Sequence, residues 1–254
     1  MGTGTGGWAT TGRLWVRVVG IALGTTMISD TQSPSYVGLK PTWKGNLCLL
    51  LLVAMIAGVS IFALIGGNVT GVSLISSALG GKQLGVLRML VPAARSIVYL
   101  VNPTNPNSEH NVRSAQQAAL ALGLQMHILN ASTESEIDAA FQVHADALAI
   151  APDSFFIGRS NQLVALAAGH SVPTIYPFRD FTAAGGLVSY GVSLPDLYRQ
   201  VGVYTGKILR GAGSANMSVL QPTKFELVIN LKTAQALNLV IPPAMLAIAD
   251  EVIE

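Results

Sequence analysis

The sequence predicts an α/β fold in which a parallel sheet is covered by helices on both faces. From residue 68 onward, short apolar runs alternate with helical segments of about 10–15 residues, which is the pattern of βαβ units. The apolar runs are continuous, as in IVYLV at 97–101, and such runs indicate strands buried on both faces. With 254 residues, the chain is also long enough to bury a substantial core.

The predicted elements follow one another along this part of the chain. Apolar and β-branched runs predict strands at 68–74, 96–102, 124–129, 147–150, 172–176, 185–191 and 225–230. The segments between them predict helices at 78–90, 108–122, 133–143, 160–168 and 194–210. The spacing of Thr133 and Glu136 matches a capping box, which marks the start of the third helix. We expect the strands 97–102, 124–129, 147–150 and 173–176 to form one parallel sheet.

The N-terminal segment differs in character from the rest of the chain. Residues 1–46 show no sustained hydrophobic period, and we assign no regular structure to them. Residues 47–65 carry no charge and are about as long as the ~20 residues of a bilayer span, so they predict a single hydrophobic helix. Because Lys40 and Lys44 precede this run, the positive-inside rule places the following domain outside the cytoplasm. A buried core helix and a cleavable signal peptide are alternative interpretations of the same run.

Polar side chains follow several predicted strands at their carboxyl ends, where parallel α/β sheets bind their ligands. These side chains occur beside aromatic residues, a combination that suits a small organic ligand better than a bare phosphate. Each loop taken alone is equally compatible with ordinary turn and helix-capping chemistry. The candidates for ligand contacts are Asn102, Asn105, Ser108, Asp153, Ser154 and Arg179.

Common catalytic and metal-binding spacings are absent from the sequence. The four histidines do not form a zinc-binding motif, and the single cysteine, Cys48, rules out an intrachain disulfide. There is no phosphate-binding loop and no nucleophile elbow. Without a cluster of lysines and arginines, a nucleic-acid groove is not predicted either. We therefore predict no enzyme, no catalytic residue, no metal and no cofactor.

Long stretches of the sequence also carry a family resemblance. The segments concerned are GGNVTGVSLISSALGGKQLGVLRMLVPAA, VYLVNPTNPNSE, ALGLQMHILNASTESEIDAAF, PTIYPFRDFTAAGGLVSYGVSLPDLYRQVGVYTGKILRGA and QPTKFELVINLKTAQALNLVIPP. They closely resemble ABC-transporter substrate-binding proteins of the tryptophan/tyrosine-uptake-like family, which have the periplasmic-binding-protein type I fold. The resemblance is collinear and covers essentially residues 66–254.

The resemblance implies a function in solute uptake. A small organic solute such as an amino acid would be clamped between two lobes, and an ABC permease in the membrane would recognise the closed form. The protein would act on the periplasmic side of the cytoplasmic membrane, anchored there by the helix 47–65. Family members have a further lobe-forming region before GGNVTG, and residues 1–65 do not resemble it. We therefore expect residues 66–254 to be the solute-binding domain, with one complete lobe at 68–186 and part of a second at 187–254.

Two other interpretations stay open at this point. In the first, the chain is an enzyme that uses the same cleft, with Asp153 or Asp180 as a general base. In the second, it is a nonfunctional fragment whose strands lack partners. Turnover of a candidate metabolite distinguishes the enzyme from the receptor. If the second lobe is incomplete, residues 187–254 should exchange amide hydrogens faster than the sheet at 95–176.

Overall fold

The strands of the protein fall into two sheets of unequal size. The computed structural model describes residues 19–22, 25–29, 69–74 and 79–254. Its strands are β1 (Val19–Ala22), β2 (Thr25–Ser29), β3 (Val69–Ser73), β4 (Ser96–Val101), β5 (Gln125–Asn130), β6 (Ala147–Ile150), β7 (Thr174–Tyr176), β8 (Val188–Val192), β9 (Phe225–Asn230) and β10 (Glu251–Ile253). Its helices are α1 (Leu79–Leu90), α2 (Ser108–Ala121), α3 (Glu134–Ala140), α4 (Ser154–Gly158), α5 (Ser160–Gly169), α6 (Arg179–Ala183), α7 (Leu194–Leu209), α8 (Leu231–Ala236) and α9 (Pro243–Ile248), with a 3-10 turn at Ser214–Asn216.

The larger sheet has seven strands in the order β10-β9-β8-β7-β6-β4-β5. The five strands from β8 to β5 in this order are mutually parallel. β9 pairs with β8 in the antiparallel direction, and β10 runs parallel to β9 at the edge. The predicted parallel sheet of four strands is therefore confirmed, and it is extended by strands from the C-terminal part of the chain.

Helices cover this sheet on both faces, as the continuous apolar strands predicted. In β4, Ile97 and Tyr99 pack on one face against α1 and α2, whereas Val98 and Leu100 pack on the other. The second face is covered by α3, α4, α5 and α6. Successive side chains of a strand point to opposite faces, so a strand buried on both sides must be apolar at every position.

The start of α3 is formed as predicted, but its end is not. Thr133 accepts a hydrogen bond from the backbone of Glu136, and the Glu136 side chain accepts one from the backbone of Thr133. This capping box confirms the predicted helix start. The helix ends at Ala140, before the predicted end at residue 143.

Within the segment 187–254, where we expect part of a second lobe, three strands belong to the main sheet. β8, β9 and β10 continue the main sheet instead of leaving it. Leu227 and Ile229 of β9 are buried in the same core cluster as Val188 and Ile175, because β9 pairs in register with β8. The apolar strand 225–230 is therefore buried in the same core as β4 and β6.

β3, the first strand of the expected lobe at 68–186, does not join the main sheet. It pairs with β2 in a three-stranded antiparallel sheet of order β1-β2-β3. Val72 of β3 also forms a parallel bridge with Leu220, and α7 packs against this strand. A small unit thus forms from β1, β2, β3, α7 and residues 217–220, and we call it the β3–α7 unit.

The hydrophobic helix predicted at 47–65, like most of the irregular segment 1–46, lies outside the described residues. Among the helices of the described part, none combines the length and the apolar character that crossing a membrane requires.

Candidate ligand-binding edge

Two loops at the carboxyl edge of the main sheet are tied together by a buried carboxylate. Asn102 follows β4 and Asp153 follows β6, and these strands are parallel neighbours. The Asn102 Nδ2 group donates a hydrogen bond to Asp153 Oδ1 over 3.1 Å, and Asn105 Nδ2 donates to Asp153 Oδ2 over 2.8 Å. The backbone N–H of Phe155 donates to Asp153 Oδ1 over 2.8 Å. The sequence-based expectation that these loops lie at the same edge is confirmed.

The side-chain oxygens of Asn102 and Asn105 accept hydrogen bonds from the backbone of the loop 102–108. Asn102 Oδ1 accepts hydrogen bonds from the N–H and the hydroxyl of Thr104, over 3.1 and 2.8 Å. Asn105 Oδ1 accepts from the N–H of Asn107 over 2.9 Å. These are Asx turns, in which an asparagine side chain caps the backbone two residues further on. We call Asn102, Asn105 and Asp153 the Asn–Asp cluster.

The Asn–Asp cluster is shielded from solvent. Asp153 is 3% exposed, Asn102 7% and Asn105 9%. None of the ion pairs in the described ranges includes Asp153, so N–H donors alone compensate its charge. Buried carboxylates need such donors, because an unpaired charge in the interior is costly. The polar atoms of the cluster are therefore already used within the protein.

Two of the predicted contact residues have free hydroxyl groups at the same edge. Ser108 is the first residue of α2, and Ser154 is the first residue of α4. Ser154 is exposed and Ser108 is half-buried, and neither hydroxyl makes a hydrogen bond within the described residues. The N-cap position before α2 belongs to Asn107, so Ser108 lies one residue inside the helix.

Arg179 is directed away from the Asn–Asp cluster. Its Nε atom lies 2.5 Å from Glu251 Oε2 and its Nη2 atom 2.6 Å from Glu251 Oε1, in a bidentate ion pair. Glu251 begins β10, and the sheet order places β10 and β4 on opposite sides of β7. The hydrogen bonds to Arg179 hold the pKa of the Glu251 carboxyl below its usual value and raise the pKa of the guanidinium. Of the six predicted contact residues, Arg179 is thus the one that pairs elsewhere.

The β3–α7 unit lies at this same edge of the main sheet. Val72 of β3 and Leu197 of α7 form a core cluster with Val192, the last residue of β8. Leu74 packs against this cluster and also against the core that contains Phe156, next to the Asp153 loop. The edge that carries the Asn–Asp cluster therefore borders the β3–α7 unit.

Sequence reasoning missed the contribution of Thr104 to this edge. The repeated spacing in NPTNPN, in which each asparagine precedes its backbone partner by two residues, was the available signal.

A cavity of about 80 Å³ near Ser171, Thr174 and Thr233 lies at the opposite, amino edge and is not part of this site. Throughout the described ranges, no group of three His, Cys, Asp or Glu side chains is placed to hold a metal ion.

Comparison with known proteins identifies the family of the chain. A family model described as ABC transporter substrate binding protein matches residues 55–253. The Tyrosine-binding protein of Clostridioides difficile (strain R20291) is 25% identical over 177 residues, which are 68% of this chain and 51% of that protein. The chain thus spans about half the length of the curated relative that it matches.

Solved structures support the same relationship. An ABC domain from Streptococcus pneumonia, in complex with L-Trp, has a TM-score of 0.64 and 25% identity, over 68% of this chain and 60% of that one. A conserved domain protein from Vibrio cholerae has a TM-score of 0.66 at 21% identity, over 72% of this chain and 62% of that one, and shows the fold alone. With the family model matching most of its length, the chain belongs to the ABC transporter substrate binding protein family.

Proposed function

We propose that the protein binds a small organic solute for an ABC-type uptake transporter, at the edge formed by loops 102–108 and 152–156. One observation carries the proposal: two loops joined by the buried Asn–Asp cluster each carry a serine with a free hydroxyl, at the sheet edge that borders the β3–α7 unit. Ligand pockets combine a few fixed polar groups with apolar surface, and they occur where two structural units meet. Family membership supports the same function.

The solute class that we propose is an aromatic amino acid. The related proteins include one named for tyrosine binding and one solved with L-Trp. In this chain, the half-buried ring of Phe155 lies next to Ser154, with the Arg159 guanidinium 5.6 Å from the ring centroid. An aromatic ring beside hydroxyl groups suits a ligand that has a ring and a polar amino-acid backbone.

The proposed partner is an ABC permease, and the proposed location is the periplasmic side of the cytoplasmic membrane. The anchor predicted at 47–65 is part of this proposal, and it rests on the uncharged run and on Lys40 and Lys44. Reporter fusions at residue 70 test the orientation. Fusions that are active only in the cytoplasm would contradict it.

Thermal melting of the full chain with L-tryptophan, L-tyrosine and glycine tests the function. A ligand at about 100 times its Kd should stabilise the protein by about 2.7 kcal/mol. We expect the aromatic amino acids, but not glycine, to raise the Tm. Absence of any shift with a panel of amino acids, or chemical turnover of the ligand, would contradict the proposal.

The two serines supply a matched test of the site. Replacing Ser108 and Ser154 together by alanine should weaken binding by about tenfold or more, because each hydroxyl is expected to make a hydrogen bond to the ligand. Gln142→Ala, an exposed change that precedes β6 at the opposite edge, is the control and should leave the affinity unchanged. Equal affinities of the double variant and the control would remove the serines from the site.

A further inference from the structure

We propose that Asp153 is a positioning residue, which orders the loop 102–108 through Asn102 and Asn105 and does not itself contact the ligand. The inference rests on the proposed function where it concerns the ligand. The ordering of the loop is a property of the protein alone, so it can be measured without any ligand.

Both carboxylate oxygens of Asp153 are engaged within the protein. Oδ1 accepts from Asn102 and from the backbone of Phe155, and Oδ2 accepts from Asn105. With 3% of the residue exposed, the carboxylate offers almost no surface to a ligand. Its contacts point instead toward the loop that follows β4.

The hydrogen bonds form a continuous path from this carboxylate to the start of α2. Asp153 fixes the Asn105 amide, and the oxygen of that amide fixes the N–H of Asn107. The backbone carbonyl of Asn105 accepts the N–H of Ser108 over 2.9 Å. Asn107 directly precedes Ser108, and the Asn105 carbonyl holds the Ser108 N–H, so the position of the Ser108 hydroxyl depends on how residue 105 is held.

The arrangement also predicts what each single substitution does. In Asp153→Asn, the oxygen facing Asn102 and Phe155 can be kept, but an amide nitrogen then faces the Asn105 Nδ2 donor. In Asn105→Asp, two carboxylates face each other. Each change replaces one good hydrogen bond by a repulsive contact, and a buried polar group that loses its partner is strongly unfavourable.

The double substitution Asp153→Asn with Asn105→Asp restores the contact with its polarity reversed. The amide at position 153 then donates to the carboxylate at position 105, while Asn102 and Phe155 keep their acceptor. The negative charge moves from one side chain to the next. The double variant therefore separates the effect of loop order from the effect of charge at position 153.

Hydrogen exchange of the amides of Thr104, Asn105, Asn107 and Ser108 without ligand, followed by L-tryptophan titration, tests the inference. Each single variant should exchange at least about tenfold faster in this loop than the wild-type protein and bind L-tryptophan about tenfold more weakly. The double variant should return both quantities most of the way to the wild-type values, because it restores every hydrogen bond of the path and loses only the long 3.5 Å contact from Asn105 Nδ2 to the Pro152 carbonyl. Asp146→Asn is the control, because Asp146 accepts the N–H groups of Arg95 and Ser96 at the opposite edge and should leave loop 104–108 unchanged.

The outcomes distinguish the inference from the proposed function. A double variant that recovers slow exchange but not affinity would show that the charge of Asp153 contacts the ligand, and this overturns the inference. Unchanged exchange in the single variants overturns it as well. If the wild-type protein binds no amino acid, the proposed function fails while the exchange data still decide the role of Asp153. If Asp153→Asn does not fold, Asn105→Ala removes one link of the path with the charge intact, and unchanged exchange there contradicts the inference.

Discussion

Gly191 in β8 packs its backbone directly against the carbonyl oxygen of Pro177, which follows β7. A methyl group at position 191 would overlap this oxygen, so glycine is required there by close approach of two backbone segments. Pro177 and Phe178 lead into Arg179, the first residue of α6. The contact therefore fixes the loop after β7 at the same edge as the Asn–Asp cluster.

We expect Gly191→Ala to destabilise the protein. Because the added methyl group meets backbone atoms, which cannot move aside as a flexible side chain does, the cost should be about 1–3 kcal/mol or more. Urea unfolding measures the change. The control is Gly202→Ala on α7, where a methyl group meets nothing within 4 Å. This helical position should gain roughly 0.5–1 kcal/mol from the substitution, and a loss at position 202 as large as that at 191 would contradict the interpretation.

The Arg179–Glu251 ion pair should make the stability depend on pH. Hydrogen bonding to Arg179 lowers the pKa of Glu251 in the folded protein, so the stabilisation is present at neutral pH and is lost as the pH falls through that lowered pKa. Both side chains are more than a third exposed, so solvent weakens the pair. We expect Glu251→Gln to lower the free energy of unfolding at pH 7 by no more than about 1 kcal/mol.

The experiment for this pair compares urea unfolding of both proteins at pH 7 and in acid. The difference between wild-type protein and Glu251→Gln should shrink in acid, where Glu251 becomes protonated. Glu109→Gln is the control, since the Glu109–Arg113 pair is far more exposed and should contribute little. A difference that stays constant down to acid pH would exclude the ion pair as its source.

Leu100 should be among the most costly core positions to truncate. It is fully buried in β4, two residues before Asn102. Leu100→Ala should cost about 2–5 kcal/mol, because it leaves a cavity between the sheet and the helices. Leu120→Ala on α2, where the side chain is 80% exposed, should change stability by less than about 0.5 kcal/mol. Thermal or urea unfolding of the two variants makes the comparison, and similar costs would contradict the buried position of β4.

The sheet order also predicts the pattern of amide hydrogen exchange. β8 and β9 are interior strands, so their amides should be protected to a similar degree as those of β4 and β6. The edge strands β5 and β10 should exchange faster. Uniformly fast exchange across 187–254 would instead support the sequence-based expectation that this region is an unfinished lobe.

Much of the main sheet could be predicted from the sequence, because local patterns determine it. Continuous apolar runs predict strands buried on both faces, and Thr133 with Glu136 predicts a helix start from two side chains three residues apart. The common edge of the 102–108 and 152–156 loops follows from the parallel direction of β4 and β6. Each of these features depends on residues that are close in the sequence or on a general rule of βαβ connections.

Other features depend on long-range choices that the pattern does not contain. Whether Arg179 contacts a ligand or Glu251 depends on where β10 is placed, 72 residues later in the chain. The strand 225–230 has the same composition whether it joins a second lobe or pairs with β8. Both carboxylate oxygens of Asp153 accept hydrogen bonds within the protein. This could not be predicted either, because it depends on the distance between two loops and not on the spacing of residues within either loop.

The position of β9 has a consequence for the synthesis of the protein. A ribosome makes β8 first, then α7 and the 3-10 turn, and only then the strand that pairs with β8 on that side. Until β9 emerges, the nascent chain carries an open row of backbone donors and acceptors along β8, and such edges invite pairing with other chains. The last step in completing the sheet is therefore the arrival of its C-terminal strands.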